Sequence, residues 1–176
     1  MRWERLFDDM ESQWAAEARR DQDAEVADRT RAERAGIGLT ERLAAHVGED
    51  LEVRTHSGAV VTGTLDDHGD GWLLVGQALV PLEAVACLTG LRPRAGDAAI
   101  ARRFALGYAL RGLSRDRAVV AVTDRSGRTW HGTIDAVGSD ALDLSEHAPD
   151  EARRRDNVLA ARVIPFAALD VIRVVR

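Results

Sequence analysis

Shifted by 69 positions, the chain falls on itself from Leu51 to Val75 without a gap. Ser57-Gly58 meets Ser126-Gly127, and Gly63-Thr64-Leu65-Asp66 meets Gly132-Thr133-Ile134-Asp135. Gly69 meets Gly138, Leu73 meets Leu142, and Leu51 and Val53 meet Val120 and Val122. The second copy then carries fifteen extra residues, after which Val80-Pro81-Leu82 pairs with Ile164-Pro165-Phe166 and Val85 with Leu169. A repeat of this kind constrains the fold more than any composition does, because one structural unit must serve both copies.

Each copy reads as strand, Ser-Gly turn, strand, acidic turn, strand, variable loop, short strand, proline and closing strand. Alternating residues such as Leu51-Glu52-Val53-Arg54-Thr55 give the strand period of two. The turn glycines supply the positive φ of a tight hairpin. Gly63 and Gly132 fall inside strands, where a missing side chain permits a sharp bend. Pro81 and Pro165 suit the bridge into the last strand, where a lost N–H does little harm. Asp66 and Asp135 are taken as turn-formers. Five short strands cover a core most economically by curling, so the predicted fold class is mainly β with helices: two tandem five-stranded barrels. The expected organisation is an N-terminal helix (1–36), a first barrel (37–91), a linker with a helix (92–114), and a second barrel (115–176) with a loop insertion at 145–159.

A short helix ahead of "VRTHSGAVVTGTLDDHGDGWLLV" and "LVPLEAVACLTGL" resembles the Sm/LSm pattern, and "VTDRSGRTWHGTIDAVGSDALDL" with "VIPFAALDVIRVV" is similar. The resemblance covers roughly 110 of the 176 residues, and ribosome-maturation SH3-like domains and PRC-barrels share its rhythm. It implies Sm-like or SH3-like barrels, and RNA or DNA as a possible ligand class. Sm proteins that hold RNA carry an Asn after the acidic turn and a basic-Gly step in the second motif. This chain has Asp66-Asp67-His68-Gly69-Asp70-Gly71 and Pro81-Leu82-Glu83 instead. The whole chain also resembles actinobacterial proteins labelled Fis-like regulators, which implies transcriptional regulation, although its C-terminus has a β pattern and no helix-turn-helix.

Outside the repeat, Trp3, Leu6, Phe7, Met10 and Trp14 recur at spacings of three and four, a stripe on one face of an N-terminal helix. Such a face must be buried, on the same chain, in a homo-oligomer or on a protein partner, so these five are the candidate protein-interaction residues. A second short helix has Thr40 as its N-cap, with Leu39, Leu43 and Val47 on one side. Asp97 opens a third, running to about Leu113, with Ile100, Phe104, Tyr108 and Leu110 available to pack.

The net charge is −5 and every basic residue is arginine. The acidic excess lies before residue 113: ten acids against seven bases in 1–34, and nine against seven in 35–112. An acidic chain has no long-range attraction for nucleic acid, so such a ligand would need a local patch. The candidates are Arg125 and Arg128 in a hairpin, Arg153, Arg154 and Arg155 in the insertion, and Arg102, Arg103 and Arg111 on the linker helix.

Chemistry for catalysis is scarce. The five histidines form no H-x-x-x-H pair and the single cysteine has no partner, so no metal or cofactor is expected. Asp66–Gly71 fails as a calcium loop at His68 and Gln77, and no P-loop or G-x-S-x-G occurs. Cys87, between Ala86 and Leu88, is expected to be a small buried hydrophobe. A lone thiol, no apolar run of membrane-spanning length and a charged N-terminus make the cytoplasm the expected location. The predicted function is therefore non-enzymatic binding or assembly, with a protein partner or another copy of the chain. The alternative is an Sm-like nucleic-acid regulator.

Overall fold

The computed structural model describes residues 35–151 and 153–175, together with Gln22, Glu25 and Arg31. The predicted stripe of Trp3, Leu6, Phe7, Met10 and Trp14 lies outside the described residues. The chain divides into two compact units, Met1–Gly38 and Leu39–Arg176. The second contains both copies of the repeat.

That unit is mainly β. A short helix, α1 (Leu39–Ala44), precedes β1 (Asp50–Thr55), β2 (Val60–Gly69), β3 (Trp72–Val75), β4 (Ala78–Pro81) and β5 (Val85–Thr89). The second copy follows as α2 (Leu106–Arg115), β6 (Val119–Asp124), β7 (Thr129–Val137), β8 (Ala141–Glu146), β9 (Ala160–Pro165) and β10 (Leu169–Val174). All ten strands form one antiparallel sheet in the order β5-β1-β2-β3-β4-β10-β6-β7-β8-β9.

The repeat holds at the level of single residue pairs. Val53 faces Leu88 as Val122 faces Ile172, and Leu51 faces Gly63 as Val120 faces Gly132. Leu73 faces Val80 as Leu142 faces Ile164. The register slips at the same place in each copy, between Leu65 and Asp67 and between Ile134 and Ala136. Asp66 and Asp135 are thus the extra residues of two mid-strand β-bulges, which bend β2 and β7. They do not form turns. The "acidic turn" of the sequence is mostly strand, and β2 runs on to Gly69 before the reversal at Asp70-Gly71.

The two five-stranded runs are halves of one sheet. Among the described residues, β4 is not hydrogen-bonded to β5, nor β9 to β10. The outer edge of β4 takes β10 instead, with Leu79 opposite Ile172 and Ala78 opposite Arg173. The cores interlock in consequence. Val171 of β10 is fully buried in the first copy's core with Leu43, Leu65 and Leu73. Trp72 and Leu79 of the first copy are buried in the second copy's core with Leu110, Leu144 and Ile172.

Local packing departs from the sequence pattern in the helices. Leu43 is fully buried, whereas Leu39 and Val47 are 43% and 49% exposed, because α1 is only six residues long. The helix predicted from Asp97 is a 3-10 turn at Ala101–Arg103 and then α2 from Leu106. The break is imposed from outside. The carbonyl of Phe104 accepts from the indole N–H of Trp72 at 2.7 Å and from the backbone N–H of Asp70 at 2.9 Å, and Phe104 has φ −114° and ψ 89°. Held so, it cannot continue a helix, and Ile100 and Tyr108 are left exposed.

One buried side chain breaks the repeat. His68 is 5% exposed at the end of β2, where the second copy has Val137. Burial holds its pKa below the ordinary value, against an opposing pull from Asp67. The fold therefore favours the neutral ring. Unfolding frees an imidazole that takes up a proton below about pH 6.5, so stability falls as the pH drops through that value toward the folded-state pKa. His68→Val is expected to flatten this acid-side loss, measured as the difference in urea midpoint between pH 7.5 and 5.5. An unchanged difference in the variant would mean that other groups carry it.

Candidate protein-interaction site

Among the described residues the strand order leaves two outer strands, β5 and β9, each hydrogen-bonded to one neighbour. By the repeat, β9 corresponds to β4 and β5 to β10, the two strands joined at the centre. The joint inside the chain therefore shows how such edges meet.

Its geometry is built from both copies. β4 offers Ala78, Leu79 and Val80, at 4%, 4% and 0% exposure, and β10 brings Val171 and Ile172. Polar groups fix the alignment. Asp170, fully buried on β10, accepts hydrogen bonds from the hydroxyls of Thr55 at 2.8 Å and Ser57 at 2.6 Å, at the end of β1 and in the following turn. Arg125, in the β6–β7 turn, reaches Glu83 after β4 at 3.4 Å. Thr55→Val keeps shape but leaves the buried carboxyl short of one donor. It is expected to cost about 1–3 kcal/mol in denaturant unfolding, and no loss would mean that the bond adds nothing to the joint.

At the outer edges the same positions are open. Val163 on β9, in the place of Leu79, is 72% exposed, and the adjacent Leu159 is 75% exposed. On β5, Cys87 is exposed where its counterpart Val171 is fully buried, and Leu88 is half-buried where Ile172 is 1% exposed. The expectation that Cys87 is buried is thus corrected. Its apolar neighbours suggested a core position, but neighbouring side chains of a strand alternate between faces, and among the described residues β5 is an outer strand paired along one edge alone. β5 also has no charged side chain, the usual device that keeps a sheet edge from pairing.

The predicted arginine patch is partly spent on internal partners. Arg153 forms a two-point ion pair with Asp135 (Nε–Oδ1 2.5 Å, Nη2–Oδ2 2.7 Å), and Ser145 also donates to that carboxylate. Arg153, opposed by partial burial and aided by Ser145, holds the Asp135 carboxyl below the usual range. Arg102 pairs with Glu41, and Arg125 with Glu83. Arg103, Arg154 and Arg155 are exposed, and Arg111 lines a groove with Glu83 and Asp140. Arg128 lies 5.5 Å from the Trp130 ring, as does Arg162, a residue the sequence did not single out. Arg162 is itself paired with Glu146 at 2.5 Å. Val163, Leu88 and Asp170, which the sequence did not single out, sit in unremarkable apolar or acidic strand patterns; only strand order shows that the first two lie on outer strands and the third at the central joint.

Among the described residues no three His, Cys, Asp or Glu side chains converge on a metal-sized site. No helix among them is long and apolar enough to cross a membrane. No protein-family model matches the chain, and no curated protein does.

Proposed function

We propose that the chain is a non-enzymatic binding and assembly protein. In this reading each copy of the repeat is a small unit of the Sm-like or SH3-like barrel type, curled at its β-bulge, and the outer strands β5 and β9 are the binding elements. The observation that carries it is the contrast between equivalent positions: Leu79 is buried in the central joint while Val163 stands 72% exposed at the outer edge. An exposed, sparsely charged strand binds by adding a partner strand, main-chain bonds giving affinity and side-chain pockets specificity. The N-terminal stripe of Trp3, Leu6, Phe7, Met10 and Trp14 is a second surface for a protein partner. A cytoplasmic setting goes with the single, exposed, unpaired thiol.

A nucleic-acid regulator is the second reading, favoured by Arg128 and Arg162, each 5.5 Å from the Trp130 ring, a cationic and aromatic cluster of the kind that binds single strands. The pairing of Arg125, Arg153 and Arg162 with carboxylates weakens it. Light-scattering mass and RNA and DNA binding, measured on one sample at low and physiological salt, separate the two. The expected result is protein association with no salt-sensitive nucleic-acid complex. A complex whose affinity falls steeply with salt, and is lost on Arg128→Ala, would transfer the function to the second reading.

A further inference from the structure

We propose that residues 91–96 form a pH-sensitive strap across α1, latched by the neutral ring of His46 and released when that ring takes up a proton. The latch does not depend on what the outer strands bind. The chain leaves β5 at Thr89 and is then tied to α1 and the turn that follows it. Arg42 of α1 donates to the carbonyls of Leu91 at 2.9 Å and Arg92 at 3.3 Å, and the backbone N–H of Gly96 donates to the carbonyl of Glu41 at 2.8 Å. The approach is close: a Cβ on Gly96 would lie 2.5 Å from the backbone nitrogen of Ala45. Between these two ends the strap is fastened to His46, which is 1% exposed. Its Nε2 lies 3.0 Å from the backbone nitrogen of Arg92, and its Nδ1 lies 2.6 Å from the carbonyl oxygen of Arg42.

The partners fix the ring's tautomer. A backbone N–H can only donate and a carbonyl can only accept, so Nε2 is the bare nitrogen and Nδ1 carries the hydrogen. A proton on Nε2 would set two donors against each other and leave the amide of Arg92 without its acceptor, in a site with almost no access to water. The charged groups on the segments that hold the ring are Glu41, Arg42 and Glu49 from α1 and its turn, and Arg92 and Arg94 from the strap. The strand β2, packed against α1, adds Asp66 and Asp67, both exposed. Both ring nitrogens are bonded to backbone, so no carboxylate receives the added proton. Glu49 is held by Arg94 at 2.7 Å and Arg92 at 3.2 Å, which keep its carboxyl below the usual range, and Glu41 pairs with Arg102. Arginine stays charged throughout, so the imidazole is the group of the strap whose charge changes near neutral pH. The latched state excludes the proton and the released state takes it, so the strap holds at higher pH and opens as the pH falls. In the second copy Arg115 stands in the place of His46 and is exposed, so the latch belongs to the first copy.

Amide exchange and imidazole nitrogen shifts, followed by NMR on the full chain between pH 7.5 and 5.5, test the latch. At pH 7.5 the His46 ring should show the Nδ1–H tautomer, and the amides of Arg92 and Gly96 should be protected. As the ring takes up its proton, their protection factors should fall, by about tenfold per pH unit if opening binds one proton. The amides of β1, inside the sheet between β2 and β5, should not fall with them. His46→Gln offers an acceptor near the place of Nε2 that does not titrate, and should keep both amides protected at pH 5.5. An Nε2–H tautomer at pH 7.5, or protection at Arg92 and Gly96 that does not change with pH, would overturn the proposal. So would a pH dependence that survives in a folded His46→Gln variant. Loss of β1 protection in step with the strap would mean that the whole unit opens and that no separate device exists. If His46→Gln does not fold, the native chain decides by itself: ring protonation and loss of protection at Arg92 must share one midpoint, and two distinct midpoints would overturn the latch.

Discussion

A fragment of residues 39–91, cut from the rest of the chain, is expected not to fold. It contains one whole copy of the repeat, and the sequence presents that copy as a domain. The tertiary structure removes its independence, because β4 loses β10 and the core around Leu65 and Leu73 loses Val171. A chain this short buries too little apolar surface to tolerate such losses. The intact protein carries the same dependence. Ile172, 1% exposed on β10, lies at the centre of the sheet. Ile172→Ala should lower the unfolding free energy by about 2–5 kcal/mol, the range for emptying a packed core site. Both copies should unfold in one transition, seen as coincident curves by circular dichroism and by tryptophan fluorescence. A folded 39–91 fragment, or two separated transitions, would show that the copies are autonomous.

Gly132→Ala is expected to be the other severe change. A Cβ at Gly132 would run into the carbonyl oxygen of Ser145 and lie 3.0 Å from the Cα of Glu146, both backbone on the neighbouring strand β8. No side-chain rotation relieves that clash, so β7 and β8 must separate at the Gly132–Glu146 pair, three residues before the bulge at Asp135. The cost should be about 3 kcal/mol or more, in the range of strained or overpacked interior sites. Gly127→Ala is the control: its φ is +83° but nothing lies within 4 Å, so only the left-handed backbone penalty of about 1–2 kcal/mol applies. Urea midpoints of the two variants should differ accordingly. Equal midpoints would mean that the backbone at Gly132 moves aside without penalty.

The repeat made the strands legible. Strand positions, the hairpin turns at Ser57-Gly58 and Ser126-Gly127, and the pairing of each copy's strands follow from alternation, glycine placement and the 69-residue shift. The candidate site was much less so. Asp66 and Asp135 read as turn residues because acids and glycines cluster after them, yet both lie in strands as bulges. Cys87 read as buried because its neighbours are apolar, although β5 has an open side. The linker helix read as continuous because nothing local breaks it; Trp72, some thirty residues earlier, holds the carbonyl of Phe104 out of it.

The sequence by itself determined the local chemistry: ten strands in two matched sets, and the hairpin turns at Ser57-Gly58 and Ser126-Gly127. These depend on side-chain period and backbone preference, which act over a few residues. Only the tertiary structure decided that the first set joins the second through β4 and β10, and hence which equivalent residues are covered and which are left outside. Val163 and Leu79 have the same chemistry and the same place in the repeat, and differ because one has a strand beside it. Burial belongs to the neighbours a position acquires, and two copies in one chain can supply only one such joint.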